Sequence, residues 1–119
     1  MNGVEKGRRG EDLAAVFLLE RGYRIIARNW RRKTGEIDII AVRGKMLVFC
    51  EVKCRRGYAY GSGAEAVGRK KQLHIIYTAM LYMQKTGQSE NLCRFDIVEV
   101  YMPDSDHPVI NHIMNAFGL

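Results

Sequence analysis

Two acids thirteen positions apart, Asp38 and Glu51, and a lysine two residues past the second, Lys53, are the residues of this chain best placed to do chemistry. Between the acids, Gly44-Lys45 supplies the glycine that a two-residue hairpin turn of type II′ wants at its first central position. With those two residues as the loop, Arg43 faces Met46, Ile40 faces Phe49, and Asp38 faces Glu51. Directly opposed residues on one sheet face have Cβ atoms about 4.5–5.5 Å apart. Lys53 shares that face, about 6–7 Å along the strand. Like charges so placed repel, so a cation must offset them or one acid must keep its proton. A divalent ion is the economical answer, since Mg²⁺ or Mn²⁺ takes carboxylate oxygens, waters and phosphate oxygens. The backbone carbonyl of Val52 is a candidate for a further ligand. Such an ion lowers the pKa of its bound water, and Lys53 could orient that water or balance charge at a phosphate under attack. The alternative is a purely structural charge cluster at a sheet end, although charges inside strands this apolar are costly to desolvate. A slip of one residue in register would turn Asp38 to the other face.

The elements around this hairpin follow from periodicity. Residues 10–21 predict a helix, with Leu13, Val16, Phe17 and an Ala14/Ala15/Leu18 stripe, stopped at Gly22. Residues 23–30 predict a short strand rich in β-branched and aromatic residues. Residues 36–42 and 46–53 are the hairpin strands. One face carries Ile37, Ile39, Val48 and Val52, the other Ile40, Val42, Leu47 and Phe49. A hairpin apolar on both sides belongs in the middle of a covered sheet. After a basic loop rich in glycine and tyrosine (54–63), a helix is expected over 64–86. Its inward residues are Val67, Leu73, Ile76, Tyr77, Met80 and Met83, and Gly87 closes it. Residues 92–102 predict another strand, and 109–117 fit either a strand or a short helix. The sum is one α/β domain spanning 1–119, a central mixed β-sheet with α-helices packed on it.

Charge is uneven: residues 1–71 hold 17 Lys and Arg against 8 Asp and Glu, and 72–119 hold 2 against 5. A basic field of this kind fits a polyanion, nucleic acid first and an acidic membrane surface second, or simply a solvated face. No apolar run approaches the ~18 residues a membrane span needs. No basic amphipathic helix with exposed aromatics supports membrane-surface binding. Cys50, Cys54 and Cys93 form neither a Cys-x-x-Cys pair nor a zinc pattern. Their odd number, with no apolar leader, fits a reducing cytoplasm.

Other side chains have two readings. Glu11 lies at the margin of the first helix's apolar face, where it could reach the site or simply favour the helix dipole. Glu36 shares the Asp38 face and reads as a surface turn residue or a neighbour of the site. Arg55, Arg56, Tyr58 and Tyr60 in the loop, with Arg69, Lys70 and Lys71 at the helix start, could track phosphates and offer rings for stacking. Solvation is the bland alternative. His74, His107 and His112 share no ligand spacing and read as solvated or core-edge residues.

The stretches GEIDIIA (35–41) and VFCEVKCR (48–55) resemble the D…ExK signature of the restriction-endonuclease-like fold. Gly10-Glu11, Arg28-Asn29, Tyr60-Gly61, Lys71 and Arg94-Phe95-Asp96 extend the likeness over nearly the whole chain, to the YraN-like family of predicted endonucleases. Archaeal Holliday-junction resolvases are similar in motif order and size. The resemblance implies a restriction-endonuclease-like α/β fold, with Asp38 and Glu51 as metal ligands and Lys53 as the catalytic lysine. It also implies Glu11 as a further acid reaching the metal, and it favours Lys71 as a phosphate contact. Where the common motif has Val or Thr, this chain has Cys50, which alternation turns away from the site. The expected activity is Mg²⁺- or Mn²⁺-dependent hydrolysis of phosphodiester bonds in DNA, with branched DNA as a subordinate expectation. A homodimer would suit symmetric cutting of two strands. The alternative function is a nucleic-acid-binding or adaptor module that kept the fold without catalysis.

Overall fold

A computed structural model describes residues 3–55, 67–102 and 107–119. Helix α1 (Gly3–Glu20) precedes strands β1 (Arg24–Arg32), β2 (Gly35–Arg43) and β3 (Met46–Arg55). Helix α2 (Arg69–Lys85) and strands β4 (Cys93–Tyr101) and β5 (Val109–Phe117) complete the order. The strands form one mixed sheet in chain order, antiparallel except that β3 and β4 run parallel. The parallel step needs a crossover, and α2 lies within it. Among the described residues this is an α/β fold with a five-stranded mixed sheet flanked by two helices, compatible with the restriction-endonuclease-like fold.

The hairpin forms in the expected register, from Arg43↔Met46 to Ile39↔Cys50. Gly44 has φ of +61° while Lys45 stays at negative φ, as a type II′ turn requires. Each sheet face is buried by one helix. Ala14, Ala15 and Leu18 of α1 pack on Ile39, Ala41, Val48, Cys50, Val98 and Val100. On the other face, Ile75, Ile76, Ala79, Tyr82 and Met83 of α2 cover Ile40, Leu47, Phe49, Phe95 and Ile97. Rings knit that side across the sheet: Trp30 and Phe49 meet Tyr82 edge-on, and Phe95 stacks between Phe49 and Phe117.

Two glycines set how closely the helices approach. A Cβ on Gly10 would run into the Cys54 sulfur, so α1 lies tight on β3. Gly35, at φ +147°, lies where a Cβ would come 3.3 Å from Thr78 Oγ1 and 3.4 Å from His74 Cβ.

Several expectations need correction. Helix α1 begins at Gly3, running through Gly7 and Gly10, and Val16 is exposed. Helix α2 starts at Arg69, with Val67 buried just ahead of it. Tyr77 and Met80 face outward, and Ile75, Ala79 and Tyr82 take their places. Apolar residues stand nearly all round this helix, so the buried stripe's phase is illegible in sequence. Residues 109–117 are a strand. Ile37 packs with the α2-side core rather than beside Ile39. Strict alternation therefore fails at Asp38, the residue between them.

Candidate functional site

That break in alternation is where the site opens. The paired residues of the hairpin end at Ile39↔Cys50, one step before Asp38 and Glu51. There the Asp38 side chain substitutes for backbone: Val52 N–H donates to Asp38 Oδ2 at 2.8 Å. So Val52 meets the site through its amide, whereas the sequence pointed to its carbonyl. Asp38 and Glu51 line one cleft of about 190 Å³, together with Glu36, Lys71 and His74. Cys50 is fully buried on the opposite face, as alternation requires, and burial pushes its thiol upward in pKa.

The electrostatics of the cleft are unbalanced. Burial, then the charge of Glu51, with smaller contributions from Glu11 and Glu36, push Asp38 from 3.8 up to about 7, against the Val52 hydrogen bond. Glu51 is only 4% exposed. Its Oε1 takes Lys71 Nζ at 2.6 Å, with Lys53 Nζ at 3.8 Å. Two ammoniums thus converge on one carboxylate. Burial and the Lys71 charge lower the Lys53 pKa, outweighing Glu51. Burial also opposes the Lys71 charge, but its hydrogen bond and ion pair with Glu51 prevail and raise that pKa.

Glu11 arrives from α1 by an indirect route. Asn29, held at φ +51°, donates its side-chain amide to Glu11 Oε1 at 2.7 Å and to Glu36 Oε1 at 3.2 Å. Arg31 also holds Glu36, at 3.0 Å. Glu11 is therefore part of the acidic rim and is felt by Asp38. Among the described residues, however, no three His, Cys, Asp or Glu side chains converge closely enough to hold a metal unaided. The donors nonetheless suit a hard divalent cation. Two buried or half-buried carboxylates share a cleft, and burial together with the neighbouring Glu51 charge pushes one of them up. An ion there would complete its shell with water and phosphate oxygens, as Mg²⁺ commonly does.

The expected phosphate contacts are more scattered. Lys70 is exposed, whereas Lys71 is engaged with Glu51. Arg55 Nε lies 3.4 Å from Glu99 Oε2, buried and with no hydrogen-bond partner among the described residues. Glu99, 1% exposed, also accepts from Tyr101 Oη at 3.0 Å and Asn111 Nδ2 at 2.9 Å. Arg56, Tyr58 and Tyr60 lie outside the described residues.

Sequence reasoning missed Asn29, His74 and Glu99. The signal for His74 was its position one turn after Lys71, which puts both on one helix face. The strand register Lys53↔Glu99, which marks Glu99, exists only once β3 and β4 have paired.

A second buried carboxylate lies across the sheet, on the α1 side. Asp96 is fully buried, yet Arg94 Nε reaches it at 2.9 Å, His112 Nε2 at 2.7 Å and Asn115 N–H at 2.9 Å. Arg94 also donates to the Tyr23 hydroxyl. Burial alone would raise the Asp96 pKa, but His112, Arg94 and the Asn115 amide together bring it below the ordinary value.

Comparison with known proteins fits the motifs. The model of "Uncharacterised protein family UPF0102" matches residues 10–100. The UPF0102 protein of Rhodococcus jostii is 46% identical over 111 residues, covering 93% of this chain and 94% of that protein. A UPF0102 protein of Symbiobacterium thermophilum is 49% identical over the same shares. Another, from Caldicellulosiruptor saccharolyticus, is 44% identical over 98% of this chain and its own full length. The chain therefore belongs to the UPF0102 family, the YraN-like family its motifs resemble.

Proposed function

We propose that this chain is a metal-dependent phosphodiesterase acting on nucleic acid, with DNA as the expected substrate. The observation that carries this reading is the convergence of Asp38 and Glu51 in one cleft, where burial first and then the Glu51 charge push Asp38 up to about 7. Lys71 and Lys53 both pair with Glu51, while Asp38 is met by the Val52 amide and held largely protonated, a perturbed acid in a cleft of the kind functional sites favour.

Asp38 and Glu51 would hold Mg²⁺ or Mn²⁺, with Glu11 contributing charge from the rim. The ion would supply a water of lowered pKa and positive charge at the phosphate. Asp38, fixed by the Val52 amide, keeps one carboxylate aimed into the cleft. Lys53, beside Glu51, is suited to orient the attacking water or balance charge at the phosphate. Lys71 is half exposed and shifts between Glu51 and a substrate phosphate. Likeness to archaeal Holliday-junction resolvases supports branched DNA as substrate, with a two-fold dimer cutting both strands.

One observation favours a second reading, a nucleic-acid-binding module without catalysis. Lys71 occupies the Glu51 oxygen that a metal would need. The experiment separates the two. Purified protein with Mg²⁺ or Mn²⁺ is incubated with linear, flapped and four-way DNA. A nuclease nicks at least one of them, and Asp38→Asn or Glu51→Gln abolishes nicking while binding persists. Binding to all with cleavage of none identifies the adaptor.

A further inference from the structure

Hydrolysis of a phosphodiester needs a proton for the departing oxygen as well as an activated water. Asp38 and Glu51 are engaged as ligands in the reading above, and Lys53 lies on the water's side of that scheme. The same cleft is lined by a histidine that the scheme leaves unused, His74.

Its placement is fixed from three directions. Lys71, one turn earlier on α2, bonds Glu51 of β3 at 2.6 Å. Thr78, one turn later, contacts Thr34 Oγ1 at 2.7 Å, just before β2. Positions i, i+3 and i+7 share one helix face, so His74 is bracketed between the two contacts. Between them, Gly35 packs directly on His74, 3.4 Å from its Cβ and 3.6 Å from its carbonyl oxygen. Thr78 Oγ1 donates back to that same carbonyl at 2.7 Å. The chain is therefore tight around the His74 backbone, while the residue itself remains exposed. This packing fixes where the Lys71–His74–Thr78 face meets the sheet and leaves His74 lining the cleft beside Lys71. The contact at Gly35 is three residues from Asp38.

We propose that His74 is the general acid of the phosphodiesterase reaction, donating its proton to the leaving nucleotide oxygen; this rests on the nuclease reading above. The water oxygen bonds to phosphorus and its proton passes to bulk water. The bond from phosphorus to the leaving oxygen breaks, and that oxygen takes the His74 proton. His74 is then reprotonated from solvent. No oxidant or further reactant is required.

The test varies the leaving group. Cleavage of DNA is compared with cleavage of bis(p-nitrophenyl) phosphate, whose p-nitrophenolate departs without a proton. For His74→Ala, kcat on DNA falls on the order of 10²–10³-fold, while the loss on the activated ester is only about threefold. His74→Gln keeps a hydrogen-bond donor but no transferable proton, so it shows the same selective loss. Without metal, titration with thymidine 3′,5′-bisphosphate shifts the ring resonances of His74 and not those of His112. Equal losses on both esters, full activity of His74→Gln, or an unmoved His74 resonance each overturn the general-acid role and leave the nuclease reading intact. Wild-type protein that cleaves neither ester overturns both.

Discussion

The two faces of the sheet bury carboxylates in opposite ways. On the α1 side, Asp96 is out of water altogether, and Arg94, His112 and the Asn115 amide bring it below the ordinary carboxylate range. On the α2 side, Asp38 receives one amide, and burial first, then three other acids, raise it to about 7. The first centre is closed: its donors come from its own strand and β5, and no acceptor is left in need. The second is open: Lys71 and Lys53 pair with Glu51, while Asp38 is met by the Val52 amide and held largely protonated below about pH 7. Burial of a charge is expensive everywhere in a protein. What separates scaffold from site is whether the fold itself supplies the compensation.

The largest expected effect breaks that comparison at the open centre. Asp38→Asn removes a ligand oxygen charge without a large change in shape, so nicking of DNA falls by on the order of 10³-fold or more. Asp96→Asn, measured the same way per folded molecule, leaves the rate within about threefold. Gel assays normalised to the folded fraction check both. A rate loss of equal size for Asp96→Asn would mean that the closed centre also serves the chemistry.

The next effect reverses the ranking. Asp96→Ala leaves a half-buried Arg94 and the buried His112 without their partner and costs about 3 kcal/mol of stability, the lower end for breaking a buried ion pair. Urea unfolding at neutral pH reads this as a lower midpoint with an unchanged slope. Glu51→Gln keeps its shape, and Lys71 is half exposed, so its cost is on the order of 1 kcal/mol.

This contrast also marks how far the sequence could be read. The hairpin register and the inward turn of Cys50 follow from Gly44-Lys45 and alternation, and Asp38 and Glu51 share a cleft as the sequence predicts, although pairing stops and alternation breaks just before them. Those are local signals, and they survived. The failures were non-local. Tyr77 and Met80 were placed inside because α2 is apolar on nearly every side, and only packing against Phe49 and Phe95 selects Ile75, Ala79 and Tyr82 instead. Asp96 appeared only as part of the Arg94-Phe95-Asp96 motif. Its role needs His112 and Asn115, which β5 brings from the far edge of the sheet. The capture of Glu51 by Lys71 likewise joins elements separated by a crossover. A periodic pattern specifies a face, but which charges meet on it depends on which strands become neighbours.

Proton linkage sharpens the comparison, because the two centres respond to pH with opposite sign. Asp38 stays protonated in the folded protein up to about pH 7, while the unfolded chain ionises it near 3.8. From about pH 4 to pH 7 the unfolded state therefore binds fewer protons at this residue, and stability drains away as pH rises. The loss amounts to on the order of 3–4 kcal/mol and is complete above pH 7. Asp38→Asn removes this slope: the variant matches wild type near pH 4 and exceeds it by that amount at pH 8. Asp96 contributes the other way, since its lowered pKa gives stability that is present above 3.8 and lost only as pH falls through the folded value. Unfolding curves of wild type, Asp38→Asn and Asp96→Asn from pH 3 to pH 8 resolve the two slopes. Parallel curves for wild type and Asp38→Asn would show that the folded cleft does not hold Asp38 protonated.

The smallest effect asks whether a cation closes the open centre. If Mn²⁺ binds Asp38 and Glu51, it stabilises the folded state by about 2.7 kcal/mol at a concentration a hundredfold above its Kd. Binding requires Asp38 ionised, so at pH 6.5 it also releases a proton, and the stabilisation grows between pH 6 and pH 8. That is the reverse of the metal-free slope, so the ion turns the Asp38 centre into one that behaves with pH as Asp96 does. Asp38→Asn and Glu51→Gln abolish the shift in melting temperature, while Asp96→Asn retains it from a lower starting point. Retention of the full Mn²⁺ shift in both Asp38→Asn and Glu51→Gln would place the ion elsewhere. The surplus charge of the cleft would then have to be met by Lys71 and Lys53 alone.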